Sequence, residues 1–197
     1  MPDVVLCSSC ERLVISVPVL YRTFESYSVP IHAVSAYEAP VQGLVRAKER
    51  KQIYAARQLG RLMVQYSSIS ELIFDCIIPV PLHWMRQYAR GYNQASVMAT
   101  IVATQYPGVS LIYPFRRIRA TKSQRELDAA ERKNNVRNAF ARSQWWSEQA
   151  CQNALADKRV LLIDDVYTTG ATLEALIALV AAYKPASITI LVGCRVV

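Results

Sequence analysis

The chain has 197 residues, of which 52% are hydrophobic and 19% charged, and its net charge is +8. This length is typical of one ordinary domain and excludes a large multidomain protein, while 6 glycines and 9 prolines without a low-complexity tract exclude a fibrous or disordered chain. The hydrophobic runs are much shorter than the roughly 20 residues of a membrane span, and the first residues lack the basic segment of a signal peptide. We therefore expect a cytoplasmic protein.

Four hydrophobic runs predict strands, and three amphipathic stretches between them predict helices. The strands are at residues 32–37, 74–81, 160–164 and 187–194, and the helices at residues 42–66, 91–105 and 171–183. The last helix stops before Lys184-Pro185, because the residue before a proline is disfavoured in a helix. This alternation predicts an α/β fold with a mostly parallel sheet flanked by helices.

Positive charge is concentrated in two stretches. Residues 46–61 contain six basic residues and one acidic residue, and residues 116–137 contain eight basic and three acidic residues. Such local charge is typical of a site for a polyphosphate or a nucleic-acid backbone, although a solvated helix face is the alternative for either stretch. The candidate nucleic-acid contacts are Arg116, Arg117, Arg119 and Arg125. Trp145 and Trp146 could stack on bases, with packing on the core as the alternative.

The chemistry is concentrated in residues 160–172, which read VLLIDDVYTTGAT. A hydrophobic strand ends in Asp164 and Asp165, and a helix opens a few residues later. The residues at this opening are Thr168, Thr169, Gly170, Ala171 and Thr172. Their N–H groups and hydroxyls at a helix start suit a phosphate, and Gly170 lets the backbone approach it. Because adjacent carboxylates can accept hydrogen bonds from a vicinal diol, the pattern predicts a site for a ribose 5-phosphate.

Residues 164–172 resemble the fingerprint of type I phosphoribosyltransferases, which bind phosphoribosyl pyrophosphate (PRPP) with magnesium. Residues 79–95 (PVPLHWMRQYARGYNQA), residues 119–140 (RATKSQRELDAAERKNNVRNAF) and the last strand are in addition similar to the ComF/GntX family, which is associated with DNA uptake in natural transformation. The resemblance begins near Tyr37. It implies a phosphoribosyltransferase-like domain at residues 37–197 and a short N-terminal extension at residues 1–36.

The resemblance also implies roles for matching residues. Asp164 and Asp165 would bind the ribose hydroxyls, and residues 168–172 would surround the 5-phosphate. Leu82 and His83 would lie in the loop that binds pyrophosphate, with a helix-capping histidine as the alternative for His83. A mobile loop at residues 119–127 would fold over the pyrophosphate through Lys122 and Arg125. If transfer occurs, Lys122 would act with the two aspartates.

The chain departs from longer ComF proteins at its N terminus. Those proteins begin with two CxxC pairs that form a tetrathiolate zinc site, whereas this chain has Cys7 and Cys10 alone. Two thiolates leave zinc two ligands short of its usual four, so the others would come from a second protomer or from His32. We interpret the pair as the remnant of a metal site and do not expect zinc.

Three functions fit these residues. The first is a PRPP-binding protein that handles incoming single-stranded DNA in the cytoplasm during transformation, with DNA-uptake proteins as further partners. The second is a salvage phosphoribosyltransferase for a nucleobase; it is disfavoured because Thr168 stands where some of these enzymes have a carboxylate base, and because no base-binding hood is recognisable. The third is a PRPP-sensing regulator without turnover. The sequence does not identify the acceptor of the phosphoribosyl group.

Overall fold

Strands and helices alternate along the chain in the computed structural model, which describes residues 6–24, 26–47, 53–119 and 139–196. The strands are β1 (Leu20–Phe24), β2 (Tyr27–Ala36), β3 (Cys76–Pro79), β4 (Ser110–Leu111), β5 (Phe115–Arg117), β6 (Phe140–Arg142), β7 (Arg159–Tyr167) and β8 (Ser187–Arg195). The α-helices are α1 (Ser8–Glu11), α2 (Val41–Ala47), α3 (Ile53–Tyr66), α4 (Trp84–Arg90), α5 (Gln94–Ala103), α6 (Glu148–Leu155) and α7 (Ala171–Ala181), and a 3-10 helix spans Ser68–Glu71.

Six of these strands form one sheet in the order β1-β2-β8-β7-β3-β4. β1 runs antiparallel to β2 at one edge, and every other neighbouring pair is parallel. β5 and β6 form a separate antiparallel ribbon. The mostly parallel sheet with helices between its strands confirms the predicted fold class.

The centre of the sheet is the most deeply buried part of the fold. Leu161, Leu162 and Ile163 of β7 are completely buried between β8 and β3. Because helices cover both faces of such a sheet, its strands are continuous hydrophobic runs, which is why β7 and β8 could be predicted. β7 extends beyond its predicted end at residue 164, since Val166 and Tyr167 still pair with β8.

The predicted helices are present with shorter bounds. The stretch 42–66 contains α2 and α3, with residues 48–52 outside the described ranges; the stretch 91–105 contains α5, and the stretch 171–183 contains α7. α4 and α6 were not predicted. β1 and β2 precede residue 37 and are hydrogen-bonded into the main sheet through β8.

Close packing of α3 on α5 holds one helical layer together. A Cβ atom at Gly60 of α3 would lie 3.0 Å from Cβ of Ile101 and 3.1 Å from Cα of Met98, so any larger residue would require the two helices to shift apart. Both helices have buried faces, which include Leu59 and Met98. None of the helices in the described ranges has the length and hydrophobicity that a membrane crossing requires.

Candidate functional site

The predicted site residues follow two adjacent parallel strands. Pro79 of β3 pairs with Ile163 of β7, and the N–H of Val80 donates to the carbonyl oxygen of Ile163 at 2.8 Å. Both strands therefore run towards the same, carboxyl edge of the sheet, which is where ligands bind in open α/β sheets. The loop after β3 and the turn after β7 are neighbours at this edge.

One pocket at this edge gathers most of the predicted phosphate-binding residues. Its lining consists of Asp164, Val166, Tyr167, Thr168, Thr169, Gly170, Ala171, Thr172 and Leu173. We call it the β7–α7 pocket. Asp165 lies beside it, half-buried, and its backbone N–H donates to Oδ1 of Asp164 at 2.9 Å. The pocket thus joins a carboxylate at the end of a buried strand to exposed threonines at the start of a helix.

Gly170 shapes the turn between β7 and α7. Its φ of +80° lies in the region that L side chains rarely adopt, and its carbonyl accepts from the N–H of Glu174 at 2.8 Å, which starts the helix. A Cβ atom here would lie 2.6 Å from the hydroxyl oxygen of the buried Tyr167. The turn therefore needs glycine both for its backbone angle and for its contact with Tyr167.

Arg117 approaches the same pocket from the ribbon. Burial lowers the pKa of its guanidinium, as does the positive charge of Arg86, whereas the carboxylate of Asp164 acts in the opposite direction. The guanidinium also lies 5.5 Å from the ring centroid of Phe140. Arg117 is thus under the influence of both Asp164 and Arg86, and the positive charge of the two guanidinium groups suits an anionic ligand.

The loop after β3 ends in a helix cap. His83 is 4% exposed and forms a β-bridge with Arg117. Its Nδ1 accepts a hydrogen bond from the N–H of Met85 at 3.3 Å, so the side chain caps α4. Leu82 is half-exposed next to it. The β-bridge connects this loop to the ribbon that carries Arg117.

A comparison with known families covers the second half of the chain. The profile of the phosphoribosyl transferase domain matches residues 90–196, which include β7, the turn at Gly170 and α7. This chain belongs to the phosphoribosyltransferase family.

Curated proteins show which members of the phosphoribosyltransferase family this chain is similar to. Competence protein F of Haemophilus influenzae is 34% identical over 72% of this chain and 62% of its own length. The DNA utilization protein YhgH of Salmonella typhimurium is 29% identical over 83% of this chain and 70% of its own length. The protein of the same name from Escherichia coli is 28% identical over 61% of this chain and 49% of its own length. The chain thus spans less than two thirds of the Haemophilus protein. These similarities confirm the predicted resemblance of this chain to the ComF family.

A second concavity, which we call the α4 cleft, lies at the carboxyl end of β3. It has a volume of about 210 Å³. Its lining consists of Pro79, Pro81, Leu82, Gln87, Asn93, Ser96, Tyr113, Phe115 and Arg116. Asn93 is engaged in structure, since it caps α5 and donates to the carbonyl of Val80 at 3.0 Å. The cleft lies between the loop after β3, α4 and the start of the ribbon.

The structure separates the predicted nucleic-acid contacts. Arg116 is exposed and lines the α4 cleft, Arg117 faces Asp164, and Arg119 is exposed beyond β5. Lys122 and Arg125 lie outside the described residues. The prediction grouped all the arginines because they are adjacent in sequence; successive residues of a strand point to opposite faces, which divides Arg116 from Arg117.

The tryptophan pair is also divided. Trp146 packs against the core, whereas Trp145 is 84% exposed. The nearby Arg142 forms an ion pair with Glu148 at 3.2 Å and donates to the carbonyl of Trp146. Core packing, the alternative given for this pair, therefore describes Trp146.

Cys7 and Cys10 are adjacent thiols at the short helix α1. A hydrogen bond with the Ser9 hydroxyl, at 3.0 Å from Sγ, is the main cause that lowers the pKa of Cys7 to about 7, and the bond between the two thiols raises the pKa of Cys10. His32 is buried, with Nδ1 at 2.7 Å from the Ser68 hydroxyl. In the described ranges no three histidine, cysteine, aspartate or glutamate side chains form a group that could hold a metal ion.

Proposed function

We propose that the β7–α7 pocket binds PRPP. The observation that carries this is the common lining of one pocket by Asp164 and residues 168–172. Asp164, with Asp165 beside it, would accept hydrogen bonds from the two ribose hydroxyls, while the N–H groups at the start of α7 would hold the 5-phosphate. α7 has eleven residues, so its dipole also favours a negative group at this end.

The charge around the pocket supports the pyrophosphate part of this proposal. Arg117 brings a positive charge towards Asp164, Arg86 adds a second charge that acts on Arg117, and the backbone at Leu82 and His83 borders the same edge. The carboxylates of Asp164 and Asp165 are the oxygen ligands that magnesium prefers, so the residues fit this ion, which would neutralise charge on the pyrophosphate when bound. Lys122 and Arg125 would add further positive charge from residues 119–127.

We further propose that this PRPP-binding protein is cytoplasmic and handles incoming single-stranded DNA, with DNA-uptake proteins as partners. Two observations support this role. The relatives carry the names competence protein F and DNA utilization protein. In addition, residues 76–119 contain five arginines and neither aspartate nor glutamate, which favours a polyanion at this edge of the sheet.

Calorimetry with and without magnesium tests PRPP binding. The double variant Asp164→Asn, Asp165→Asn removes both carboxylate charges and keeps their shape, and we expect it to lose PRPP binding. Asp157→Asn is the matched control, because Asp157 is an exposed aspartate before the other end of β7 and its φ of 57° is one that asparagine accepts. Equal binding by all three proteins, or no binding by the folded wild type, would contradict the proposal.

Turnover is measured separately from binding. If the protein releases pyrophosphate from PRPP on addition of one nucleobase, its function is nucleobase salvage instead. If it binds PRPP with magnesium but releases no pyrophosphate with any nucleobase, the result would agree with a PRPP-sensing regulator.

A further inference from the structure

α4 is a helix without a buried side. Each of its residues from Trp84 to Ala89 is exposed; Trp84 is 67% exposed, Met85 54% and Tyr88 89%. Large hydrophobic residues normally gain about 1.5–3 kcal/mol each when buried, so three of them on one exposed helix mark a surface that meets another molecule. This cluster comes directly after the loop of the proposed PRPP site.

The aromatic side chains of this surface are spaced for stacking. Trp84 and Tyr88 are four residues apart, so they lie on one face of α4. Tyr113, 46% exposed, lines the α4 cleft together with Gln87. Flat, exposed aromatic rings at successive positions are how proteins hold the bases of an unpaired nucleic-acid strand.

The charge of the surface selects the class of partner. Arg90 is on α4 and Arg116 is in the cleft, and residues 76–119 contain no acidic residue. Tryptophan, tyrosine and arginine are also common at protein interfaces. However, α4 and the lining of the cleft contain arginines and neither aspartate nor glutamate, a charge that complements a phosphate backbone.

The cleft is smaller than the usual site for a whole small ligand, and its volume suits one unit of a polymer. Pockets for whole small ligands usually enclose about 300–1,000 Å³, and the α4 cleft encloses about 210 Å³. Its lining combines Tyr113 with the amide of Gln87 and the hydroxyl of Ser96, which are a stacking surface and hydrogen-bonding groups for the edge of one base.

We infer that α4 and the α4 cleft form the single-stranded DNA site of this chain, with bases stacked on Trp84, Tyr88 and Tyr113 and phosphates held by Arg90 and Arg116. The inference rests on the proposed role in DNA handling and adds to it the surface that does so. It places the strand next to the β7–α7 pocket, because His83, which caps α4, is bridged to Arg117 beside Asp164.

The test measures the binding of fluorescein-labelled oligothymidylate to the full chain by anisotropy. We expect Tyr88→Ala and Trp84→Ala each to weaken binding about 5- to 100-fold, the cost of one stacked base, and Tyr88→Phe to retain it. Trp145→Ala and Tyr21→Ala are matched controls, since they remove exposed rings elsewhere, and should bind as the wild type does. Calorimetric binding of PRPP should be equal in all of these proteins.

A second measurement reports contact directly. Oligothymidylate should quench tryptophan fluorescence in Trp145→Phe but no longer in Trp84→Phe. Wild-type binding that the α4 variants leave unchanged, or that Trp145→Ala abolishes, would overturn the assignment of the surface while leaving the DNA role intact. Failure of the wild type to bind the oligonucleotide would overturn both, and failure to bind PRPP alone would overturn the pocket proposal and not this one.

Discussion

Gly170 combines two separate constraints at the start of α7. Its φ is +80°, and the position of a Cβ atom is taken by the ring and hydroxyl of Tyr167, at 2.6 Å from the oxygen. Tyr167 is 5% exposed, so its ring has little room to withdraw. The same residue therefore sets the shape of the pocket and the packing below it.

We expect Gly170→Ala to lower the free energy of unfolding by about 2–5 kcal/mol, the sum of a left-handed alanine and an overpacked contact. Urea denaturation measures this. The control is Gly108→Ala, whose φ of +92° carries the backbone cost but whose Cβ atom would have nothing within 4 Å. An equal loss in both variants would show that the Tyr167 contact imposes no cost.

The carboxylates of the pocket could be predicted from sequence, and its arginine could not. Asp164 and residues 168–172 are contiguous, so a local motif contains them. Arg117 comes under the influence of the charge of Asp164 because the ribbon lies against the loop after β3, where His83 forms a β-bridge with it. No local pattern encodes an electrostatic interaction between residues so far apart in sequence.

Among the elements, β3 and β7 are joined at their starts by one charged group. The carboxylate of Asp75 accepts from the backbone N–H of Arg159 at 2.8 Å and from its guanidinium at 3.0 and 2.6 Å. These bonds lower the pKa of Asp75 from an ordinary 3.8 to about 2. The pair fixes the register of the two strands whose other ends form the site.

This pKa makes the stability of the sheet depend on acid. Because the folded protein binds this proton less readily than the unfolded chain does, the contribution of Asp75 is fully present above about pH 4 and is lost as the pH falls towards about 2. In urea denaturation at a series of pH values, Asp75→Asn should be less stable than the wild type at neutral pH, and the difference should shrink in acid. The exposed-site control is Asp157→Asn; a difference independent of pH would contradict the assignment.

We expect alanine substitutions at two helical glycines, Gly60 in α3 and Gly43 in α2, to change stability in opposite directions. At Gly60 a methyl group would meet Ile101 and Met98 at 3.0–3.1 Å, and we expect Gly60→Ala to destabilise the fold by about 1–3 kcal/mol. At Gly43 in α2 a Cβ atom would meet nothing within 4 Å, so Gly43→Ala should stabilise by up to about 1 kcal/mol through helix propensity. Thermal denaturation compares them, and a stabilising Gly60→Ala would mean that the helices can separate.

Burial decides which elements the sequence revealed. β7 and β8 are hydrophobic on both faces, and α3 has a buried stripe that includes Leu59 and Leu62. α4 has no buried residue and hence no helical periodicity to detect. α6 did leave a signal that was missed: Ser147 caps its first turn, and Cys151 and Leu155 are buried four residues apart.

On the scale of the whole molecule, charge is distributed unevenly across the sheet. The arginines of residues 76–119 follow β3, near one edge, whereas β1 is at the opposite edge and carries the exposed Arg22. The proposed PRPP pocket lies between these edges, on β7. A DNA strand bound at the edge near β3 would thus approach the pocket from the side of α4.

This asymmetry predicts a specific dependence on salt. Each phosphate contact with single-stranded DNA contributes a slope of about −0.7 to the logarithm of affinity against the logarithm of salt concentration, because the contact releases a counterion. Arg90→Gln and Arg116→Gln should therefore each make the measured slope shallower by about 0.7, and Arg22→Gln should leave it unchanged. Anisotropy titrations of oligothymidylate over a range of sodium chloride concentrations give these slopes. If Arg22→Gln reduced the slope as much as Arg90→Gln does, the attraction would come from the net charge of +8 spread over the whole surface, and a localised strand site beside the pocket would be wrong.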